Sequence, residues 1–336
     1  MPAVNISLTE ALDNLYTTTW QNMGTTVRDN IFNALPFWFW LKEKGRMETV
    51  EGGRWLSEPL MYDKSDNVTW IGRGGTAPMN TKQILTTAKY DWRYLVGSIV
   101  RFGVDDQQNR GRNEIINLMN TTMENTKNSL ATEMEIRLFG GSGAVVAGTT
   151  TETNPSFDGL QYLVPDDPTS AANPAGGIDS SLYTWWRNQA TNMTGKSFAT
   201  FGISYMRTIM NNCMNNLKMD APDIIVSGQT PYEAYEDTIL PAYRITNNKL
   251  GDMGFENIQF KGRPMIWSPS CANTRMYFLN TNFIKFVYDP MMMMDMTAWK
   301  DIPNQVNDRV AQIITACTFK VSRRRCQGVI FNIDTA

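Results

Sequence analysis

The stretch ATNMTGKS, Ala190 to Ser197, is where the residue types come closest to nucleotide chemistry. A phosphate loop of the form G-x-x-x-x-G-K-[ST] uses its first glycine to close a turn whose N–H groups ring the phosphates, and its lysine to neutralise them. Ala190 stands where that glycine is needed, so only a relaxed pattern is met. Such a loop also leaves a buried apolar strand and opens a helix facing the phosphate. Here SLYTWWRNQ ends in Arg187, Asn188 and Gln189, and FATFGIS delays the apolar stripe that follows. The stretch reads as a polar connector before a helix starting near residue 200. GGSGAVVAG, from Gly140, has no lysine and follows a helical pattern, so it reads as a flexible connection.

Further chemistry is bounded by what the chain lacks. Its 336 residues include no histidine, which removes Ser-His-Asp and Cys-His nucleophiles, imidazole zinc sites and the commonest general base. Asp105-Asp106 and Asp166-Asp167 are paired carboxylates, but both lie beside loop or helix-start signals, where solvation or capping is favoured over acid/base work. Cys213, Cys271, Cys317 and Cys326 form no C-x-x-C pair and read as free core thiols. Lys+Arg 31 against Asp+Glu 33 gives a net charge of -2. That balance argues against a protein whose main task is wrapping nucleic acid. No apolar run reaches the roughly 18 residues of a membrane span, and MPAVNISLTEALDN lacks signal-peptide order, so a cytoplasmic protein is expected.

The elements that would position any site follow from periodicity. Hydrophobic residues make up 42% of the chain, enough for a sizeable core. Phe37, Trp38, Phe39 and Trp40 end a polar N-terminal stretch, as core or as the anchor of an arm on a neighbouring subunit. In KYDWRYLVGSIVRF the even positions Tyr90, Trp92, Tyr94, Val96, Val100 and Phe102 alternate with Lys89, Asp91 and Arg93, predicting a half-buried strand with the even face inward. WIGRGGTAPMN before it reads as the tip of a long hairpin. Ile116, Met119, Met123, Leu130, Met134 and Leu138 predict one helix over 112–139, ended by Gly140-Gly141 and roughly 42 Å long. The segment 150–181 is turn-rich.

Beyond it, Ile203 to Leu217 carries a helical stripe, and PDIIVSG leads into TPYEAYEDTIL, where Thr230 as N-cap, Pro231 and Glu233 suggest a capping box. Strands are expected in FENIQFKGRPMIW, RMYFLN, NFIKFVY and VAQIITACTFKV. MMMMDM (291–296) reads as apolar packing, with adaptable contact surface as the alternative. Arg323, Arg324 and Arg325 read as solvated or paired with carboxylates, with subunit or nucleic-acid contact as the alternatives.

FDGLQYLV, GGIDSSLYTWWRNQ and RRRCQGVIFNI, in this order along the chain, resemble the major capsid proteins of tailed bacteriophages with the Hong Kong 97-type fold. The resemblance spans nearly the whole length. It implies an α+β fold with an N-terminal arm (1–45), an extended β-hairpin loop (46–103) and a peripheral domain (104–199) carrying the spine helix. It further implies an α/β axial domain (200–295) and a return to the peripheral domain (296–336), making that domain discontinuous. The implied function is structural, without catalysis or cofactor: pentamers and hexamers of the chain form an icosahedral head that assembles in the host cytoplasm and expands as DNA enters.

Implied partners are the chain itself, a portal, a separate scaffolding protein, a decoration protein and packaged double-stranded DNA held without sequence preference, with no membrane. Phe37, Trp38, Phe39, Trp40, Arg46, Arg54, Trp70, Arg73, Arg323, Arg324 and Arg325 are the candidate inter-subunit contacts. Two rival readings are a ring- or tube-forming virion protein, and a metal- or nucleotide-dependent enzyme using 190–197.

Overall fold

The computed structural model describes residues 35–103, 118–141, 156–214, 221–238, 258–303 and 308–333, with helix side chains from residue 121. Helix α1 (Pro36–Glu43) starts with proline, whose fixed φ suits a first helical turn. Strand β1 (Met47–Thr49) follows, then β2 (Trp55–Met61) and β3 (Leu85–Asp91), paired in antiparallel register from Trp55↔Asp91 to Met61↔Leu85. Strand β4 (Arg93–Arg101) begins one residue after β3 ends. Helix α2 (Leu118–Leu138) contains no Gly or Pro, and Gly140 N–H closes its end on the Arg137 carbonyl. The start of the helix expected at 112 lies outside the described residues.

A short helix α3 (Leu160–Leu163) leads to β5 (Gln189–Asn192), α4 (Phe198–Cys213), β6 (Ile224–Ser227) and α5 (Gln229–Thr238). The hairpin of β7 (Ile258–Phe260) and β8 (Arg263–Trp267) turns through Lys261 and Gly262, both at positive φ. Then come β9 (Met276–Leu279), β10 (Ile284–Tyr288), the short β11 (Asp295–Met296) and β12 (Lys300–Asp301), the long β13 (Arg309–Val321) and β14 (Gly328–Phe331).

Two six-stranded sheets organise these elements. The first has the order β1-β10-β13-β11, with β12 and β4 also paired to β13; the second runs β5-β14-β9-β6-β8-β7. Sheet membership departs from linear order. Strand β10 belongs to the first sheet although its sequence neighbours β7 to β9 build the second, and β14 returns to the second, between β5 and β9. One core joins α1 (Phe37, Trp40, Leu41), the hairpin (Leu56, Leu60, Ala88, Tyr90), α2 (Met134, Leu138) and both sheets (Tyr277, Phe286, Phe319). A second core lies under α4, where Met206, Ile209 and Cys213 meet Ile225, Phe278 and Ile330. Each large side chain so buried contributes about 1.5–3 kcal/mol relative to exposure.

Several expectations need correction. The KYDWRYLVGSIVRF strand is two strands broken at Trp92, and in β4 the even face is outermost: Tyr94, Val96, Val100 and Phe102 are exposed while Ile99 is buried. The inward face packs on α2. A Cβ on Gly97 would stand 2.8 Å from a Thr126 methyl and 3.2 Å from Leu130, so glycine lets helix and strand meet. Helix α5 begins at Gln229, making Thr230 its second residue instead of its N-cap; Asn273 Oδ1 accepts the Gln229 N–H at 3.3 Å. In the methionine run, Met291 and Met292 are exposed, while Met293 and Met294 pack on the core.

Residues 190–197 correct a further point. They do run from strand β5 into α4, the order that the flanks seemed to deny. The loop is nevertheless closed on itself: Asn192 Oδ1 accepts the N–H and Oγ1 of Thr194, Met193 O accepts Lys196 N–H, and Lys196 Nζ lies over the Phe201 ring. Strand β5 is an edge strand and only partly buried.

Candidate assembly surfaces

The β2–β3 hairpin is firmly rooted and bare at its tip. At the root, Lys320 of β13 is nearly buried and reaches Glu58 of β2 (2.9 Å) and Glu48 of β1 (3.1 Å), while Lys285 also binds Glu48 (3.0 Å). Burial alone would raise the Glu48 pKa, but hydrogen bonds from the two lysines hold it below the ordinary value. Tyr90 OH donates to Val321 O (2.7 Å), and its burial pushes the phenol pKa up. Further out, Tyr62 stacks on Trp185 and donates to Gln83 O (2.6 Å). Lys82 bridges Asp63 (2.7 Å) and Asp66 (3.2 Å), and Asn67 and Asn80 exchange two hydrogen bonds.

Beyond that clasp stand Val68, Trp70, Ile71 and Met79. All are exposed, and Trp70 is 102% exposed, as open as a side chain in a free peptide. Polar, glycine-rich sequence normally keeps such side chains out of a loop tip. Their presence on a braced projection is the feature expected of a surface that another chain covers. The outward row Tyr94, Val96 and Val100 on β4, continued by Phe102 just after it, is a second apolar face.

The candidate contact residues fall into three settings. Arg54, Trp70 and Arg73 are exposed on the hairpin, with the Arg54 guanidinium over Trp55. Trp38, Phe39, Arg46, Arg323 and Arg325 are half-buried. Trp38 packs edge-on against Phe286, Arg46 bonds Thr281 and Asn282 side chains, and Arg323 lies over Phe283. Phe37, Trp40 and Arg324 are interior to this chain. Arg324 thus departs from the solvated or carboxylate-paired setting expected of the arginine triplet. Its Nε donates to Leu163 O (2.8 Å), its Nη1 to Asn173 O (3.4 Å), and its guanidinium lies over Trp186; burial lowers its pKa to about 10.

The apolar tip residues Val68, Ile71 and Met79 and the outer β4 face were missed in the sequence. The tip carried a usable signal, large apolar residues inside a turn-rich stretch. The β4 face carried none.

A cleft of about 730 Å³ opens between β4 and α2, lined by Trp92, Tyr94, Met134 and Phe157, and its Glu133 and Arg137 bind each other at 2.7 Å. Asp166 pairs with Arg275, and Asp167 accepts from the Thr169 N–H and hydroxyl in a local turn. Asp105 and Asp106 lie outside the described residues. All four cysteines are buried and in no disulfide; burial pushes the thiols of Cys271 and Cys317 up to about 12. Among the described residues no group of three His, Cys, Asp or Glu side chains could hold a metal ion, and no helix is long and apolar enough to cross a membrane.

No protein-family model matches the sequence, and no curated protein does. Solved structures do. A chain of the cyanophage A-1(L) capsid aligns over 95% of this chain and 99% of its own, at TM-score 0.63 and 16% identity. The capsid of Myoviridae phage XM1 aligns over 94% and 97%, at TM-score 0.56 and 10% identity. This chain has the Hong Kong 97-type fold. A chain of the holo-SrpI encapsulin complex from Synechococcus elongatus PCC 7942 shares the fold over 96% of both chains, at TM-score 0.56 and 12% identity. Each alignment covers nearly the full length of both chains.

Proposed function

We propose that the chain is a major capsid protein, a virion component whose pentamers and hexamers close into the icosahedral head around a phage genome. The observation that carries this reading is the full-length match to the cyanophage A-1(L) capsid chain. The apolar hairpin tip supports it, because a projection loaded with Trp70, Ile71 and Met79 acquires a purpose only when a second subunit lies beneath it.

In this reading the first sheet with α2 is the peripheral unit, and the second sheet with α4 and α5 is the axial unit. Residues 1–45 act as the arm, and within 46–103 the β2–β3 hairpin is the part laid over a neighbour, β1 and β4 being strands of the first sheet. The outward residues Arg54, Trp70 and Arg73 are the foremost of the contact set. The role is mechanical, with no catalysis and no cofactor. A portal, a scaffolding protein, a decoration protein and non-specifically held double-stranded DNA complete the partner set. A mildly acidic chain suits such a container, since packaged DNA is held by confinement and counterions without base readout.

The test is the size and shape of the native material, by light scattering and then electron microscopy of the same fractions, with the nucleic-acid content of any particle. Closed shells, or rings of five and six, support the reading. A chain that stays a monomer or dimer at high concentration and with a scaffolding partner refutes it. An encapsulin chain shares the fold, so the fold does not assign the contents of a shell. Particles produced in infected cells that contain no genome would shift the assignment to a container of another kind.

A further inference from the structure

Among the described residues Glu135 is the one acidic side chain that is buried, at 0% exposure. It projects from α2 to the place where α1 and the loop after β8 meet. Its Oε2 accepts the Trp38 N–H at 3.0 Å, its carboxylate also accepts the Phe37 N–H, and the Ser268 hydroxyl donates to Oε1 at 3.3 Å. Phe37 and Trp38 lie in the first turn of α1, whose N–H groups have no partner within the helix. Leu35, at the N-cap position, has no side-chain oxygen to offer them. Glu135 therefore caps α1 from another element.

The charges nearby leave it without a counter-ion. On α1, Lys42, Glu43 and Lys44 lie exposed at the far end. On α2, Glu133 and Arg137 bind each other, exposed to solvent. On the loop after β8 stand the Cys271 thiol, protonated at neutral pH, and Arg275, which is paired with Asp166. None of the ion pairs among the described residues includes Glu135. The N–H donors favour its anion, but burial outweighs them and raises its pKa to about 7.

We propose that Glu135 makes the junction of α1, α2 and the loop after β8 a proton-dependent joint, closed when the carboxyl is neutral and loosened when it ionises. Opening the joint returns the carboxyl to water, where its ordinary value is 4.5. Between that value and about 7 the closed joint holds a proton that the open one releases, so opening becomes easier as pH rises and levels off above about 7. The limit of the effect is roughly 300-fold in the opening equilibrium. The chain has no histidine, so apart from the terminal amine no side chain of ordinary pKa titrates in this interval. The proposal does not depend on the capsid reading.

Hydrogen exchange of the segment 36–43, divided by the intrinsic rate at each pH from about 5 to about 8.5, tests it. The opening equilibrium is expected to rise at least roughly tenfold with a midpoint near 7, and to be flat in Glu135→Gln, which keeps an acceptor for Trp38. A flat wild-type profile, or an equal rise in Glu135→Gln, overturns the proposal. If that variant does not fold, the infrared carbonyl band of the buried carboxylic acid in the wild type decides. Loss of the band near pH 7, in step with exchange, supports the joint; loss below about pH 5 overturns it.

Discussion

The Lys320 ammonium lies 2.9 Å from the Glu58 carboxylate, tying the long strand β13 to the root of the β2–β3 hairpin across 262 residues of sequence. Lys320 is 8% exposed and also holds Glu48. Lys320→Met would leave two half-buried carboxylates facing each other without their shared cation. A loss of about 1–3 kcal/mol is expected, below the range for fully buried pairs because both acids keep some water. Chemical denaturation reads the loss, and hydrogen exchange should place it in β2 and β3. Lys320→Arg should restore part of it.

Stability should depend on pH with opposite signs on the two sides of pH 5. Glu135, raised to about 7, binds a proton more tightly in the fold than out of it. Stability therefore increases as pH falls from about 7 to the ordinary 4.5, by about 3 kcal/mol at most. Glu48, held below its ordinary value, contributes stability that is present above that value and lost as pH falls through its lowered one. Denaturation midpoints across this range should show a maximum on the acid side of neutrality. A maximum above about pH 7 would contradict the Glu135 assignment, and no loss of stability below the ordinary value of 4.5 would contradict that of Glu48.

Trp70 separates folding from assembly. Its side chain is fully exposed, so Trp70→Ala should shift unfolding by no more than about 0.5 kcal/mol. If the tip seats on a neighbour, the same change should raise the concentration needed for particle formation at least roughly tenfold, as measured by light scattering, because buried tryptophans dominate interface energies.

Arg324 and Arg73 should behave as opposites. Arg324→Ala removes donors from the Leu163 and Asn173 carbonyls and empties the space over Trp186, so a loss of about 3 kcal/mol or more is expected. Arg73→Ala, on the exposed tip, should leave the melting temperature unchanged.

Much of the architecture was readable from residue pattern. Met123, Leu130, Met134 and Leu138 repeat at helical spacing, and the last three are buried on one face of α2. IIVS and MYFL are short apolar runs and became fully buried strands of one sheet. What escaped was anything that depends on distant partners. Glu135 is one of several acids on a polar helix until α1 covers it, and Arg324 is one of three adjacent arginines until the end of α3 at Leu163 and the loop at Asn173 close around it.

Strand β4 marks the division most clearly. The sequence by itself determined that successive residues from Tyr94 to Phe102 face opposite ways, because the pleat of a strand turns each side chain away from the last. Which face is inside was decided by the tertiary structure. Gly97 clears the space for Thr126 and Leu130 of α2, and the helix then covers the odd face. The more apolar even face is left outward. Alternation is a local property of the backbone, whereas burial depends on an element more than twenty residues away.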